Sequence, residues 1–413
     1  MADIRPFRGV RPKPEHAEKI ASPPYDVLSS EEARELGKDN PMSFLHVVKP
    51  EIDLPPDSDL YATEVYDTGA KNLQRLIGAG YMCQDSDPCF YLYRQIMGDH
   101  SQVGIVACAS VDEYDRNIIK KHELTRKSKE DDRTRHVNAI GANTGPVFLT
   151  YKHSEKIDAI VEKITKMRPD VDFTSDDGVR HTLWIVREVE NIDGIRTGFD
   201  EIPELYVADG HHRSASASRV QKLKKDLNPN HTGEEEYNFF LTVIFPDNQM
   251  MILDYNRVLK DLNGNSPRDF MAKIMGDFSV EEIGEKQFKP QAKHEFGMFL
   301  EGKWYQITPK PGIFDENDPV ASLDVSILQN SLLGPILGIQ DPRTDERIDF
   351  VGGIRGLGEL EKRVNQGWKA GFALFPTSID DLMKIADTGK TMPPKSTWFE
   401  PKLRSGMVVH LLD

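Results

Sequence analysis

Short apolar runs separated by turn residues recur along the chain and predict alternating strands and helices. Such runs predict strands over 90–96, 103–111, 147–151, 182–186 and 239–245. Apolar residues at helical spacing predict a helix within 61–80, and Ser29-Ser30-Glu31-Glu32 predicts another helix start with acidic residues in its first turn. This alternation predicts an α/β protein and argues against a repeat protein.

The most informative stretch is a strand, a sharp turn and a helix that begin at Leu205. Residues 205–208 predict a buried strand, Asp209-Gly210 predicts a turn, and apolar residues at helical spacing predict a helix after it. The free N–H groups of a helix start and the helix dipole favour an anion. Gly210 allows the backbone to approach a ligand closely, and Asp209 is a carboxylate suited to Mg²⁺. The next three residues can donate hydrogen bonds to phosphate oxygens, namely His211, His212 and Arg213. The stretch therefore predicts a phosphate site.

Two other interpretations of this stretch stay open. Asp209 can cap the helix of an ordinary strand–helix connection, with the His-His-Arg run as a solvated first turn. A zinc site is disfavoured, because adjacent histidines on a helix diverge by about 100°. In addition, no HExxH or CxxC pattern accompanies these histidines.

The charge and cysteine content narrow the class of protein. The formal net charge of the 413 residues is −15, so the surface as a whole repels phosphate backbones and nucleic-acid binding is not expected. Cys83, Cys89 and Cys108 are too few and too irregularly spaced for a disulfide framework or a four-cysteine metal site. No signal peptide or membrane-spanning apolar run is predicted. We therefore expect a cytoplasmic protein without a membrane partner.

A second informative stretch, residues 120–136, is locally basic. It contains seven lysines and arginines against four acidic residues, and Leu124 is its only hydrophobic residue. Such a run is often a solvated helix face with charge pairs four residues apart. Alternatively it supplies phosphate ligands, for which the chemistry favours Arg126, Lys127, Lys129 and Arg133. Its Glu123 is then a candidate catalytic carboxylate.

Proline-stiffened loops lie near both ends of the chain. Pro23-Pro24-Tyr25-Asp26 is either a rigid connector or a ligand-facing loop. The stretch 387–402 contains Gly389-Lys390-Thr391, but a P-loop would need a glycine where this chain has Lys384. The loop can instead present phosphate ligands, or it can be a surface loop held by its aromatic residues. Those candidate ligands are Lys395, Ser396, Thr397 and Lys402.

The character of the chain changes after residue 255. We therefore predict a catalytic portion with an N-terminal extension over 1–255, and a C-terminal α/β portion over 256–413 that contributes the Lys/Ser/Thr loop. The polar segment 222–236 predicts a mobile surface loop.

Four motifs together resemble one protein family. They are Pro24-Tyr25-Asp26, His122-Glu123-Leu124-Thr125, Ala208-Asp209-Gly210-His211-His212-Arg213 and Pro393-Pro394-Lys395-Ser396-Thr397. The Asp-Gly-His-His-Arg turn resembles the signature of the sulfiredoxin/ParB-like fold that free serine kinases share. The whole arrangement is similar to a longer family, once of unknown function, with members assigned as pyrophosphate-dependent serine kinases.

The resemblance implies a fold, an activity and residue roles. It implies a sulfiredoxin/ParB-like α/β (α+β) core and Mg²⁺-dependent phosphorylation of free L-serine by pyrophosphate, to give O-phospho-L-serine for cysteine or related synthesis. Glu123 matches the general base, and Asp209 matches the aspartate near Mg²⁺ and the phosphates. The other matches are His211 as a catalytic residue, Gly210, His212 and Arg213 as the phosphate-holding turn, and Tyr25, Asp26, His122 and Thr125 as substrate-binding residues.

Phosphoryl transfer needs positioning, cations around the transferred group and a base near the attacking hydroxyl, and the chain offers all three. Pyrophosphate has no nucleobase or ribose, and the sequence carries no signature of an adenine slot.

A kinase that uses ATP or ADP as donor, or another hydroxy amino acid as acceptor, stays open. A ParB-like nucleotide- or DNA-binding protein and a non-enzymatic ligand sensor also stay open, although no basic helix-turn-helix region follows the turn. The sequence predicts no oligomeric state.

Overall fold

A computed structural model describes residues 2–413, and its internal contacts divide the chain into two units. The first unit comprises the chain up to Met250 together with Pro401–Asp413, and the second comprises Met251–Glu400. The sequence predicted portions 1–255 and 256–413. The structure differs mainly at the C-terminus, because the last residues return to the first unit.

The first unit alternates strands and helices up to residue 246. Its strands are β1 (Ile4–Arg5), β2 (Val10–Pro12), β3 (Met82–Gln84), β4 (Phe90–Met97), β5 (His100–Ser110), β6 (Ile119–Lys120), β7 (Ala142–Asn143), β8 (Val147–Tyr151), β9 (Val171–Thr174), β10 (Arg180–Val186), β11 (Leu205–Asp209) and β12 (Phe239–Pro246). Its helices are α1 (Ala17–Ile20), α2 (Ser30–Gly37), α3 (Leu45–Val48), α4 (Thr63–Gly78), α5 (Val111–Asp115), α6 (Lys127–Ile140), α7 (Glu155–Thr165), α8 (Val189–Asp200) and α9 (His211–Leu227).

A mixed nine-stranded sheet forms the centre of this unit. Its order is β6-β11-β8-β12-β5-β4-β10-β9, and β1 pairs with β5 outside this path. β11 runs parallel to β6 and antiparallel to β8, whereas β8 and β12 are parallel. The mixed architecture of helices and several sheets confirms the predicted α/β class.

The core of the first unit consists of the apolar runs that predicted the strands. Phe90 and Leu92 of β4, Ile105 of β5 and Leu149 of β8 lie in one buried cluster. Helices α7 and α8 contribute to the same cluster through buried isoleucines and Phe199. A second cluster joins α2, α3, α4 and β2.

The second unit has its own strands and helices. Its strands are β13 (Met251–Leu253), β14 (Tyr255–Leu259), β15 (Phe278–Gly284), β16 (Phe296–Leu300), β17 (Lys303–Pro309), β18 (Ile348–Gly352), β19 (Ala370–Leu374) and β20 (Trp398–Glu400). Its helices are α10 (Pro267–Asp277), α11 (Asp324–Leu328), α12 (Gly358–Asn365) and α13 (Ile379–Asp387). Six strands form one sheet in the order β15-β17-β16-β19-β14-β18, and β13 pairs with β20.

Short backbone pairings fix the C-terminal segment to the first unit. β21 (His410–Leu411) pairs antiparallel with β7, and Ser22 and Ser405 exchange backbone hydrogen bonds of 3.1 and 2.9 Å. A two-residue strand shows no apolar periodicity, so the sequence pattern did not predict this return.

Most predicted elements of the first unit are present, with one correction. The predicted helix within 61–80 is α4, and Ser29 caps α2 by accepting a hydrogen bond from the amide of Glu32. The prediction of a loop over 222–236 is wrong for residues 222–227, because α9 continues to Leu227. Lysines are favourable near the C-terminal end of a helix because of the helix dipole, and Lys224 and Lys225 lie in the last turn of α9.

Within residues 2–413, no helix has both the length and the apolar character required to cross a membrane.

Candidate phosphate-binding and catalytic site

Parallel pairing of two strands brings together the two stretches that the sequence singled out. Leu205 of β11 pairs with Ile119 of β6, and Tyr206 pairs with Lys120. Because the carboxyl ends of parallel strands meet at the same sheet edge, residues 121–126 and 209–213 leave the sheet side by side. The start of β8 lies at this edge too, since Phe148 pairs with Asp209 of the antiparallel β11.

The predicted strand–turn–helix at Asp209 is confirmed. Gly210 has φ of 96°, a left-handed conformation that disfavours other residues, and α9 begins directly after it. A Cβ atom on Gly210 would lie 3.3 Å from Cζ of Arg213 and 3.4 Å from Cα of Val147. The turn therefore needs glycine both for its conformation and for the close approach of Arg213.

Asp209 is an ionised carboxylate held by two donors. Its Oδ1 accepts a 2.8 Å hydrogen bond from the amide of Gly210, and its Oδ2 lies 3.0 Å from Nζ of Lys402. Burial raises the pKa of Asp209, but the positive charges of Lys402 and Arg213 outweigh this and hold its pKa well below the ordinary value. The sequence predicted Lys402 as one of four possible phosphate ligands in the loop 387–402. In the structure, Lys402 belongs to the first unit.

Arg213 ties the turn to two other segments. Its guanidinium donates to the carbonyl of Pro146, and its Nη2 donates a 3.3 Å hydrogen bond to Oδ2 of Asp26. Its buried Nε has no hydrogen-bond partner among residues 2–413. The guanidinium thus connects the Pro-Pro-Tyr-Asp loop, the loop before β8 and α9, and its Nε–H is left for a ligand. The Pro146 carbonyl was not predicted, since a backbone acceptor has no sequence signature.

Two helix starts converge at His212. The amide of Arg126, which precedes α6, donates a 3.0 Å hydrogen bond to Nε2 of His212 in the first turn of α9. Farther along, Arg219 of α9 pairs with Glu130 and Asp131 of α6 at 3.2 and 2.6 Å. The two helices therefore begin at the same place and present two positive dipole ends there.

The predicted cations at the start of α6 are exposed. They are Arg126, Lys127 and Lys129. Lysines in the first turn of a helix are unfavourable with respect to its dipole, so their presence fits a site that receives an anion. Thr125 donates a 2.8 Å hydrogen bond from Oγ1 to Glu130, which holds the segment against the helix.

His122, Glu123 and His211 form a compact group at this edge. The rings of His122 and His211 meet edge to face, with centroids 4.4 Å apart and an interplanar angle of 89°. One donor atom from each of the three residues lies within 4.8 Å of the others. Burial lowers the pKa of His122 to about 4 and that of His211 well below its ordinary value, so both rings are neutral at pH 7.

Arg133 and Tyr25 pair with each other beside the turn. The Arg133 guanidinium lies 4.1 Å from the centroid of the Tyr25 ring, and its Nε and Nη2 donate to Oδ2 of Asp132 at 2.9 and 2.7 Å. Burial and the negative charge of Asp26 raise the pKa of Tyr25, whose hydroxyl stays protonated. A cavity of about 30 Å³ lies between this pair and Arg213, which is room for about one water molecule.

Three predicted phosphate ligands, Lys395, Ser396 and Thr397, belong to the second unit. There the carbonyl of Lys395 accepts a 2.9 Å hydrogen bond from Arg257, and Thr377 donates one of 2.9 Å to the carbonyl of Ser396. Their assignment as phosphate ligands stays a prediction.

The chain belongs to the family described as a protein of unknown function, DUF1015, which matches residues 4–326. No curated protein matches its sequence.

Solved structures with distant likeness to the chain include a free serine kinase mutant in complex with AMP. That likeness has 14% identity and a TM-score of 0.35, and it covers 72% of this chain and 86% of the other. A conserved hypothetical protein from Pyrococcus furiosus has 15% identity and a TM-score of 0.34, over 73% of this chain and 93% of the other. SbnI with C-terminal truncation from Staphylococcus aureus has 11% identity and a TM-score of 0.36, over 71% and 82%.

Proposed function

We propose that the protein is a small-molecule kinase that transfers a phosphoryl group from pyrophosphate to the hydroxyl of free L-serine, giving O-phospho-L-serine. The observation that carries this proposal is the convergence of two helix starts, α6 and α9, around the ionised Asp209. Backbone amides and positive dipole ends at one point make an anion site.

The charged side chains support a phosphate ligand over a neutral one. Arg213 and Lys402 flank Asp209, and the exposed Lys127 and Lys129 lie at the start of α6. Phosphoryl transfer depends on such cations to neutralise charge on the equatorial oxygens. Asp209, Arg213 and Lys402 would position the donor, while Asp26 and Tyr25 would line the amino-acid side.

Mg²⁺ fits one position in this arrangement. Mg²⁺ at phosphoryl-transfer sites takes one or two protein carboxylates together with phosphate oxygens and waters. The ionised Asp209 would be its protein ligand, with Lys402 releasing Oδ2. The bound ion would neutralise charge on the phosphate oxygens.

Glu123 would act as the general base. The serine hydroxyl oxygen attacks the terminal phosphorus of pyrophosphate, the bond from that phosphorus to the bridging oxygen breaks, and inorganic phosphate leaves. The hydroxyl proton passes to the Glu123 carboxylate. A donor atom of Glu123 lies within 4.8 Å of one on His122 and one on His211, and Glu123 follows β6 at the sheet edge where β11 ends in Asp209.

Pyrophosphate is favoured as donor because the cations near Asp209 suit phosphate oxygens and the sequence carries no signature of an adenine slot. A nucleotide donor is the second candidate, and a ligand sensor that holds the anion without chemistry is the third. The choice among them rests on turnover.

The test is phosphoserine formation by the purified protein with L-serine and Mg²⁺, comparing pyrophosphate, ADP and ATP. We expect product with pyrophosphate alone. Loss of the base should slow turnover by about 10²–10⁴-fold in Glu123→Gln, with pyrophosphate binding retained. Glu190→Gln, on the exposed surface of α8, is the matched control. Product only with a nucleotide would overturn the donor, and no product with any donor or with homoserine or threonine would favour the sensor.

A further inference from the structure

The group formed by His122, Glu123 and His211 contains polar atoms that the protein itself does not satisfy. His122 is 2% exposed and His211 is 6% exposed. Both ring nitrogens of His122 and Nε2 of His211 have no hydrogen-bond partner among the described residues 2–413. A buried polar group left without a partner costs about 1–3 kcal/mol. Each neutral imidazole has one protonated nitrogen and one free lone pair, so the two buried rings offer two lone pairs that a bound ion can accept.

The three side chains have the composition of a metal site. Their donor atoms lie within 4.8 Å of one another, and the half-buried Glu123 adds a carboxylate to two neutral imidazoles. Ligand atoms around one tetrahedral Zn²⁺ are about 3.3 Å apart. Binding would draw the donor atoms together by at most about 1.5 Å, from 4.8 to about 3.3 Å.

We propose that His122, Glu123 and His211 bind one divalent transition-metal ion, for which Zn²⁺ is the best match. Two imidazoles and one carboxylate are a ligand set of catalytic zinc sites, which keep a fourth position open. Imidazole ligands favour Zn²⁺, Cu²⁺, Ni²⁺ or Fe²⁺ over Mg²⁺, which prefers oxygen ligands. The site is thus distinct from the Mg²⁺ position assigned to Asp209.

The sequence disfavoured zinc because adjacent histidines on a helix diverge. The structure removes that objection, because the partner of His211 is His122 from the segment after β6, and His212 is engaged by the amide of Arg126. The parallel pairing of β6 and β11, which the sequence did not predict, creates the site.

The ion would polarise a hydroxyl or water at its open position. A carboxylate that binds the ion through one oxygen keeps the other oxygen for a proton, so this role of Glu123 is compatible with its role as base. The metal proposal does not depend on the kinase proposal, because metal binding is measured without any turnover.

The experiment uses the full chain, stripped of metal with a chelator, and titrates it with Zn²⁺ and with Co²⁺. We expect one tightly held Zn²⁺ per chain by elemental analysis after desalting, and a visible Co²⁺ absorption band that Zn²⁺ abolishes. His211→Gln and Glu123→Gln should each weaken binding by more than about tenfold, since even changes in the surroundings of a metal site cost 10–100-fold. His100→Gln, at the start of β5, is the control for loss of a histidine outside the group and should bind like the unmodified protein.

Circular dichroism checks that each variant is folded. If one of these variants does not fold, His122→Gln replaces it in the comparison, because His122 belongs to the same set of ligands. An unmodified protein that retains no stoichiometric ion overturns the proposal. Equal loss of binding in the His100 control would also overturn it, because the ion would then not depend on the ligands proposed here.

Discussion

The backbone amide of Arg126 donates its hydrogen bond to Nε2 of His212, at 3.0 Å. A ring nitrogen that accepts a hydrogen bond carries no proton, so the neutral ring of His212 has its proton on Nδ1. Burial lowers the pKa of His212, which preserves this acceptor near neutral pH. One side chain therefore fixes the start of α6 against the start of α9 and retains an N–H donor.

Replacement of His212 by alanine should weaken pyrophosphate binding. The change removes one donor and leaves the amide of Arg126 without its acceptor, so a loss of roughly tenfold in affinity, about 1.4 kcal/mol, is expected. Titration calorimetry with pyrophosphate measures it. His212→Gln should recover part of the affinity, because the glutamine oxygen can accept from the amide. Equal affinities of the alanine variant and the unmodified protein would exclude His212 from the phosphate site.

Arg213→Lys should destabilise the protein although it keeps the charge. A lysine ammonium cannot donate to both the Pro146 carbonyl and Asp26 from one planar group. A buried acceptor left unsatisfied costs roughly 1–3 kcal/mol, which urea unfolding measures as a lower midpoint. Arg219→Lys, on the more exposed pairs with Glu130 and Asp131, should cost about 0–1 kcal/mol. Similar losses in both variants would argue against a bridging role for Arg213.

Local patterns predicted the Asp209 turn because its strand, turn and helix each carry their own signal. An apolar run, an Asp-Gly pair and a helical spacing follow one another between residues 205 and 223. The partner segment carries a weaker signal. The apolar pair Ile118-Ile119 indicates a strand before His122, but β6 has only two residues, so its parallel pairing with β11, which brings His122 to His211, was not predicted.

Helix α6 was difficult to predict for a different reason. Its buried face includes Asp132, Thr134 and His136, so burial does not follow hydrophobicity. The polar atoms are satisfied by specific contacts, such as the 3.0 Å hydrogen bond from the hydroxyl of Tyr66 to Asp132 and the 2.9 Å one between His136 and the carbonyl of Val47. Contacts between residues far apart in sequence leave no periodicity, and the stretch therefore resembled a solvated helix.

Gly210→Ala should lower the free energy of unfolding by more than the cost of placing alanine in a left-handed conformation. A left-handed conformation costs an L-residue about 1–2 kcal/mol, and the new Cβ would also crowd Arg213 and Val147 at 3.3 and 3.4 Å. Gly233 has a φ of 95° and no atom within 4 Å of a Cβ, so Gly233→Ala isolates the conformational part. Denaturant unfolding of both variants gives the difference. If Gly233→Ala costs as much as Gly210→Ala, then the turn tolerates the extra carbon and close packing of Arg213 is not required.

Because of His181, the free energy of unfolding should be lower in mild acid than at neutral pH. This buried residue of β10 contacts the hydroxyl of Tyr93 at 2.7 Å through Nδ1 and Oγ of Ser175 at 2.9 Å through Nε2. Burial and the nearby charge of Arg404 lower its pKa to about 3, whereas an unfolded histidine titrates near about 6.5. Below about pH 6.5 the unfolded chain therefore binds a proton that the folded chain does not bind, and stability falls as the pH decreases.

This prediction is tested by measuring how the free energy of unfolding changes with pH. One such histidine contributes at most about 1.4 kcal/mol per pH unit in this window. His181→Gln should reduce the slope between about pH 6.5 and pH 5, because the proton taken up by the unfolded chain is lost, whatever the variant's absolute stability. His100→Gln, at the start of β5, controls for the removal of a histidine elsewhere in the unit. An unchanged slope in His181→Gln would mean that His181 is already protonated in the folded protein or that its pKa does not change on folding.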